Sequence, residues 1–465
     1  MKKNSCVRGK INFGTDGWRA EIADTFTFEN LGRLAIRLAD YVGKNSQVCV
    51  GYDNRFLSAE YASFFAAVLE QNGVRVDLSD SAVPTPCVSH RVTRQGYDLG
   101  ACISASHNPA SYNGLKLKEN YGGSARCELV AELTEGLSDT SYDGPRWSLK
   151  YHGKTSDWGQ DYLAELEKYL PEGNLRVGVD YFHGTGSPFF GELLKRKGYI
   201  ETALRAERDP LFGGINPEPR PQYLGELMGL LKSGRADIGF AFDGDADRIA
   251  LVDENGRFLS MQVILAVLAW DMLDSGKEGR IIKTVAGTCL VDRMAEKYKA
   301  ELEIVPIGFK NICPEMLKGD VLVAGEESGG IGFGDFLPER DALYTALRIL
   351  EMMKRRSMLF GEIWDEVSCE FGGSYYLRED FPCAGSFSRE EFLQKVSENI
   401  KVHSLPYKVE EVSYLDGGRI DMEGGRWLLI RPSGTEPLLR LYAEGEDKSA
   451  AEKLIRSGRE LFNEQ

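Results

Sequence analysis

At 465 residues, 42% of them hydrophobic and with a formal net charge of −15, the chain is too long for one core and has the make-up of an ordinary multidomain globular protein. The acidic balance excludes nucleic acid and anionic membrane surfaces as main partners, because both demand a basic footprint. An anionic small substrate stays admissible wherever arginines cluster, and nine cysteines without a C-x-x-C pair fit a reducing compartment rather than a disulfide framework.

In chain order, Lys2 and Lys3 are followed by Arg8, Lys10 and Asp16 instead of an apolar signal core, so a cytoplasmic location is expected. The longest apolar run, Val263 to Leu273, is interrupted by Asp271 and is too short to span a bilayer; no membrane segment is expected. Strand-like runs then alternate with helical periodicity. Val48 to Gly51, a helix near Ser58 to Gln71, Val74 to Leu78, a helix after Pro84 and Leu99 to Ile103 form a first unit. A second runs from Arg176 to Phe242, with a helix near Pro188 to Lys197, a strand near Ile200 to Leu204 and a helix near Tyr223 to Lys232. A third runs from Arg280 to Ala324, with helices near Leu290 to Tyr298 and Ile312 to Leu317.

This repeated order predicts three related α/β domains with mixed, largely parallel sheets. Past Cys369 the character changes to a helix near Arg389 to Ile400, strands near Trp427 to Arg431 and Leu439 to Glu444, and a helix from Lys448, which predicts a smaller C-terminal α+β domain. Turn residues Gly144-Pro145, Asn255-Gly256 and Gly372-Gly373 mark the joints. The expected domains are therefore 1–150, 151–255, 256–370 and 371–465, each of the first three presenting its last loop to a common site.

Four loops carry the chemistry. Ser104-Ala105-Ser106-His107-Asn108-Pro109 leaves the C-terminal end of a predicted strand, where open α/β sheets bind ligands. Ser106 becomes a nucleophile if a cation, His107 and local backbone donors assist it; alternatively, both serines serve the turn. Asp243-x-Asp245-x-Asp247 places hard oxygen ligands along a tight turn, which suits Mg²⁺. The same aspartates with Glu254 also fit positions 1, 3, 5 and 12 of a calcium loop, but position 6 is Arg248 where glycine is required, and the flanks read as strands. Gly325-Glu326-Glu327-Ser328-Gly329-Gly330 offers acceptors suited to sugar hydroxyls. Arg431, Ser433, Gly434 and Thr435, with Arg440 on the next strand, form a charge-assisted anion site, or else a solvated basic turn.

These loops, in this order and with the opening Phe13-Gly14-Thr15-Asp16-Gly17-Trp18-Arg19, resemble the motifs of the α-D-phosphohexomutase superfamily over essentially the whole chain. The resemblance implies four domains around a central cleft, and transfer of a phosphoryl group between O1 and O6 of a hexose phosphate, through a phosphoserine and a bisphosphorylated sugar such as glucose 1,6-bisphosphate. It implies that Ser106 carries the phosphate and, with Asp243, Asp245 and Asp247, holds Mg²⁺. Arg248 and Arg19 would stabilise charge, Lys116 would act as general acid/base, and Glu326 and Ser328 would read the sugar O3 and O4. Arg431, Ser433, Gly434 and Thr435 would clamp the non-reacting phosphate.

Two departures bear on the substrate. The sugar loop ends in Gly330, where members accepting both mannose and glucose carry histidine, and Glu326-Glu327-Ser328 resembles α-phosphoglucomutases more than phosphoglucosamine mutases. Pro338-Glu339-Arg340-Asp341-Ala342 resembles a segment that usually has lysine at the position of Arg340, a substrate contact that cannot shuttle protons. The expected activity is that of an α-phosphoglucomutase. Phosphomannomutase or dual specificity is the alternative, ahead of phosphoglucosamine mutase or a silent sugar-phosphate binder.

Overall fold

The structure is a computed structural model that describes residues 11–382, 388–432 and 438–462. The chain divides into two compact units. One comprises Met1–Phe258, Met316–Lys318 and Ser328–Phe360, the other Leu259–Glu315, Gly319–Glu327 and Gly361–Gln465.

The first unit holds two sheets. Leu99–Ile103 is buried along its whole length and lies between Gln47–Tyr52, parallel to it, and Tyr112–Glu119, antiparallel to it. The sheet is extended by Arg75–Ser79 and Lys154–Ser156 on one side and by Gly17–Glu21 and Phe13–Gly14 on the other. The strand at 154–156 carries this sheet past the joint expected at residue 150. Helix Phe28–Val42, which the chain-order reading leaves unassigned, buries Leu31, Leu34, Ala35, Leu38 and Ala39 along one stripe and is capped by the Thr27 side chain.

In the second sheet Ile238–Phe242 runs parallel to Arg176–Asp180 and antiparallel to Ile249–Val252, with Phe242 opposite Ile249. Residues 243–248 are thus the tip of a hairpin whose two strands are wholly buried. Strand Ile331–Phe333 and helix Ala342–Arg356 also belong to this unit.

In the second unit, parallel strands Leu302–Val305, Arg280–Thr284 and Val321–Gly325 lie side by side. Helix Met261–Asp274, apolar on all sides, is buried from Met261 to Leu273. The C-terminal sheet is antiparallel, in the order Tyr375–Pro382, Leu438–Gly445, Arg426–Pro432, Gly418–Met422, Val409–Ser413. Strand Tyr375–Pro382 occupies a stretch that the sequence reading left without an element. Alternation splits this sheet. Leu428, Ile430, Leu439 and Leu441 pack with the helix residues Phe392, Val396, Leu454 and Ile455, while Trp427, Leu429 and Tyr442 pack with Val285, Ala286 and Ile307. Among the described residues no helix is long and apolar enough to cross a membrane.

Candidate active site

Two loops of the first unit meet at Ser106. This residue is fully buried with φ 52°, a left-handed conformation uncommon for residues other than glycine. Gly114 on the facing strand permits the close approach, since a Cβ there would stand 2.4 Å from the Ser104 carbonyl oxygen. Ser106 Oγ donates to Asp243 Oδ2 at 2.7 Å and lies 3.2 Å from His107 Nδ1. Asp243 Oδ1 accepts from the backbone N–H groups of Asp247 and Arg248, both at 3.1 Å.

Asp243, Asp245 and Asp247 offer one carboxylate oxygen each within 4.8 Å of one another, and all three residues are buried. Burial, with Asp247 and Asp245 beside it, pushes the Asp243 carboxyl well above the usual range. Burial would raise Asp247 too, but Arg340 and Lys116 outweigh it and hold that carboxyl low. Asp245 Oδ1 and Asp247 Oδ1 are buried and accept no hydrogen bond from the described residues. Crowded, mutually repelling carboxylates with two unengaged oxygens and a serine hydroxyl form an all-oxygen donor set that fits a small divalent cation such as Mg²⁺. The flanking strands exclude the calcium-loop reading, which needs helices on both sides.

Cations surround the cluster. Lys116 Nζ lies 2.6 Å from Asp245 Oδ2, 2.6 Å from Asp247 Oδ2 and 2.9 Å from Asp16 Oδ2. Burial opposes its charge, yet Asp16, Asp245 and Asp247 prevail and raise the ammonium above the usual lysine value. Arg19 donates to Asn108 Oδ1 at 2.9 Å and lies 3.5 Å from Asp16, and Arg248 Nε stands 3.8 Å from Asp247 Oδ1. Burial lowers His107 well below the ordinary imidazole value, helped by Arg248 and Arg19, so the ring is neutral at pH 7. Arg340, expected against substrate, is 2% exposed and packs against carboxylates, pairing with Asp16 and, at 3.0 Å, with Asp247 Oδ2.

Sequence reasoning missed several supports. Buried Arg55 donates to the backbone oxygens of Ser106, Asn108, Pro109 and Tyr112 and so fixes the serine loop. Thr85 binds Asp245 twice, through Oγ1 to Oδ2 at 2.5 Å and through its N–H to the carbonyl oxygen at 3.0 Å. Lys118 pairs with Glu339 at 2.5 Å, and Ser124 donates to the same carboxylate at 2.7 Å. Lys118 falls two residues beyond Lys116 on one strand, so its inward orientation was available from period-two spacing.

In the second unit, Glu326 is buried at the end of strand Val321–Gly325. Glu327 accepts from Thr284 Oγ1 at 2.9 Å; burial, reinforced by Glu326, raises its carboxyl above the usual range. Ser328 follows at the start of the stretch that belongs to the first unit. Arg431 and Arg440 stand directly opposite each other on antiparallel strands. Like charges so placed repel by a few tenths of a kcal/mol to about 1 kcal/mol, a cost that a bound anion would remove. Ser433, Gly434 and Thr435 lie outside the described residues.

Comparison with known proteins shows the family. The family descriptions "Phosphoglucomutase/phosphomannomutase, alpha/beta/alpha" domains I, II and III match residues 10–142, 160–256 and 261–369, and its C-terminal domain matches 390–459. The chain belongs to the phosphoglucomutase/phosphomannomutase family, within the α-D-phosphohexomutases. A Methanothermobacter thermautotrophicus protein named "Probable phosphoglucosamine mutase" is 31% identical, with 94% of this chain and 95% of that protein covered. A Thermococcus kodakarensis "Phosphoglucomutase/phosphomannomutase" is 28% identical over 98% of this chain and 99% of its own length. The crystal structure of a provisionally named phosphomannomutase from Thermus thermophilus superposes with a TM-score of 0.86 at 30% identity, covering 98% of this chain and 99% of that one.

Proposed function

We propose that this phosphohexomutase interconverts glucose 1-phosphate and glucose 6-phosphate through phosphorylated Ser106 and glucose 1,6-bisphosphate. The observation that carries the reading is Ser106 Oγ at 2.7 Å from Asp243 in a buried cluster of three aspartates ringed by Lys116, Arg19, Arg248 and Arg340. A hydroxyl there is a nucleophile set beside positioning and charge-neutralising groups, which is most of what phosphoryl transfer needs.

Phosphoryl transfer from Ser106 breaks its Oγ–P bond and forms one to a sugar oxygen, whose hydroxyl proton ends on Ser106 Oγ; the return step breaks the O–P bond at the other end of the bisphosphate, phosphorylates Ser106 Oγ and leaves the serine proton on that sugar oxygen. Asp243, Asp245 and Asp247, with Ser106, would hold Mg²⁺, which when bound neutralises charge on the transferring phosphoryl oxygens. His107, with Nδ1 3.2 Å from Ser106 Oγ, is within hydrogen-bond reach of the serine hydroxyl and orients it. Lys116, the candidate general acid/base, is kept as an ammonium by three carboxylates, and with Arg19 and Arg248 it stabilises phosphoryl charge. Arg340 supplies charge through Asp16 and Asp247 and moves no proton. Glu326 and Ser328 read sugar hydroxyls, and Arg431 with Arg440, Ser433, Gly434 and Thr435 clamps the far phosphate.

A second reading, glucosamine 1-phosphate, is favoured by the names of relatives near 30% identity. Phosphomannomutase activity is compatible with readers of O3 and O4, which do not sense the C2 epimer. A coupled assay with Mg²⁺ and catalytic glucose 1,6-bisphosphate ranks glucose, glucosamine and mannose 1-phosphates by kcat/KM. Glucose is expected first. A higher kcat/KM for glucosamine 1-phosphate would move the assignment to the second reading, and no turnover of any hexose phosphate would overturn the mutase.

A further inference from the structure

The turn between strands Val409–Ser413 and Gly418–Met422 brings Asp416 against the guanidinium of Arg431. Arg431 Nε meets Asp416 Oδ1 at 3.0 Å and Nη2 meets Oδ2 at 3.0 Å, a two-point fork that fixes the plane of the guanidinium as well as its position. The same Oδ2 accepts the backbone N–H of Ile307 at 2.9 Å. Ile307 lies just beyond strand Leu302–Val305 and packs with Trp427, Leu429, Tyr442, Val285 and Ala286. One carboxylate therefore joins the arginine to the α/β part of its own unit.

The backbone is shaped for this contact. Gly417 has φ +91°, and a Cβ there would stand 2.4 Å from the Ile430 carbonyl oxygen and 2.6 Å from Arg431 Cγ. Any other residue would push the turn off the arginine stem. Arg419, two positions on, donates to the carbonyl oxygens of Val285 and Gly287 and stacks over Trp427 at 4.5 Å. The turn and the strand after it are thus held on Val285–Gly287 and Ile307 by contacts that do not involve Arg431.

We propose that Asp416 is a positioning residue for substrate phosphate, aiming the Arg431 fork and making its aim depend on the docking of the C-terminal sheet against Ile307. The assignment rests on the reading of Arg431 as the clamp on the non-reacting phosphate. An arginine ordered beforehand loses less freedom when phosphate arrives, so the effect belongs in binding and is equal for ground and transition states.

The test is a cycle of Asp416→Ala, Arg431→Ala and the double variant, with Asp416→Asn as the isosteric companion in case the alanine variant fails to fold. Asp416→Ala is expected to raise KM for hexose 1-phosphate about tenfold with kcat within about twofold, the pattern of lost uniform binding. Asp416→Asn, which keeps one acceptor oxygen, should fall between it and wild type. The double variant should bind no worse than Arg431→Ala alone, because Asp416 acts through that side chain. Calorimetric titration with glucose 1,6-bisphosphate should show the same order. Losses that multiply in the double variant, or a lowered melting temperature with unchanged KM, would overturn the proposal. If wild type turns over no hexose phosphate yet bisphosphate binding follows the expected order, the mutase reading fails and the role of Asp416 stands.

Discussion

Asp16→Asn keeps the shape of a buried side chain while deleting the anion that Lys116, Arg340, Arg19 and Lys118 share. By Coulomb's law at an effective dielectric of about 20, Lys116 at 2.9 Å contributes ~6 kcal/mol and Arg19 at 3.5 Å ~5 kcal/mol. Desolvation cancels much of this, and removing one partner of a buried pair costs about 3–5 kcal/mol net. Because a multidomain chain need not unfold in one step, the suitable assay is amide hydrogen exchange in the paired strands Gly17–Glu21 and Tyr112–Glu119. Protection there should fall by about two to three orders of magnitude at pH 7, since each 1.4 kcal/mol is tenfold. Burial would raise the Asp16 carboxyl, but Arg340, Lys116, Lys118 and Arg19 reverse this and hold it well below the usual range. A depressed folded-state value means that the stabilisation is complete above the unfolded pKa of about 3.9 and is lost as pH falls through the folded value. Wild type and variant should therefore differ by a constant factor between pH 5 and 8 and converge only in strong acid. Protection within tenfold of wild type at pH 7, or a gap that closes toward alkaline pH, would refute the reasoning.

Ser106→Ala should lose turnover by at least about 10⁴-fold, as removal of a nucleophile does, with no stable phosphate incorporated from labelled glucose 1,6-bisphosphate; residual labelling would place the phosphate elsewhere. Chelation should abolish turnover and added Mg²⁺ restore it, while a fully active chelated enzyme would remove the metal from the reading. Gly114→Ala should displace the serine loop, because its Cβ would meet the Ser104 and Trp18 carbonyl oxygens at 2.4 and 2.7 Å, and kcat should drop with KM nearly unchanged. Glu444 accepts from Thr288 Oγ1 at 2.5 Å, the Cys289 N–H at 3.0 Å, Trp427 Nε1 at 2.6 Å and Ser374. At about 1.5–3 kcal/mol per bond to a charged acceptor, Glu444→Gln should markedly speed exchange in strand Arg426–Pro432; unaltered exchange would count against that estimate.

The parts legible in the sequence are those that chemistry packs into consecutive residues. Ser106 and the three aspartates sit in short loops after apolar strands, so their meeting follows from the rule that ligands gather at strand C-termini. The partnerships of Arg55, Thr85 and Arg340 were out of reach for a different reason. Thr85 lies 160 positions from Asp245, and Arg340 lies 324 from Asp16; no local pattern carries a partner at that distance. Helix Phe28–Val42 is another matter, because its buried positions repeat at three and four and its cap is a threonine. Strand Tyr375–Pro382 is hidden because Arg378, Glu379 and Asp380 break its apolar alternation: Arg378 and Asp380 share the face of Arg431 and Arg440, while Glu379, on the other face, pairs with Arg459.

Lys116 gives the acidic hairpin a countercharge covalently attached to a strand of the other sheet, 2.6 Å from both Asp245 and Asp247. Proteins that rely on an ion alone to neutralise such a cluster unfold when it is withdrawn. Here the tethered ammonium stays, so stripping and reloading should be a cycle of activity and not of folding. The same tether makes the incoming ion a competitor of a resident cation. Uptake should therefore slow or quicken with the strength of that lysine's hold, which makes the rate of reactivation a quantity in which the lysine shows itself.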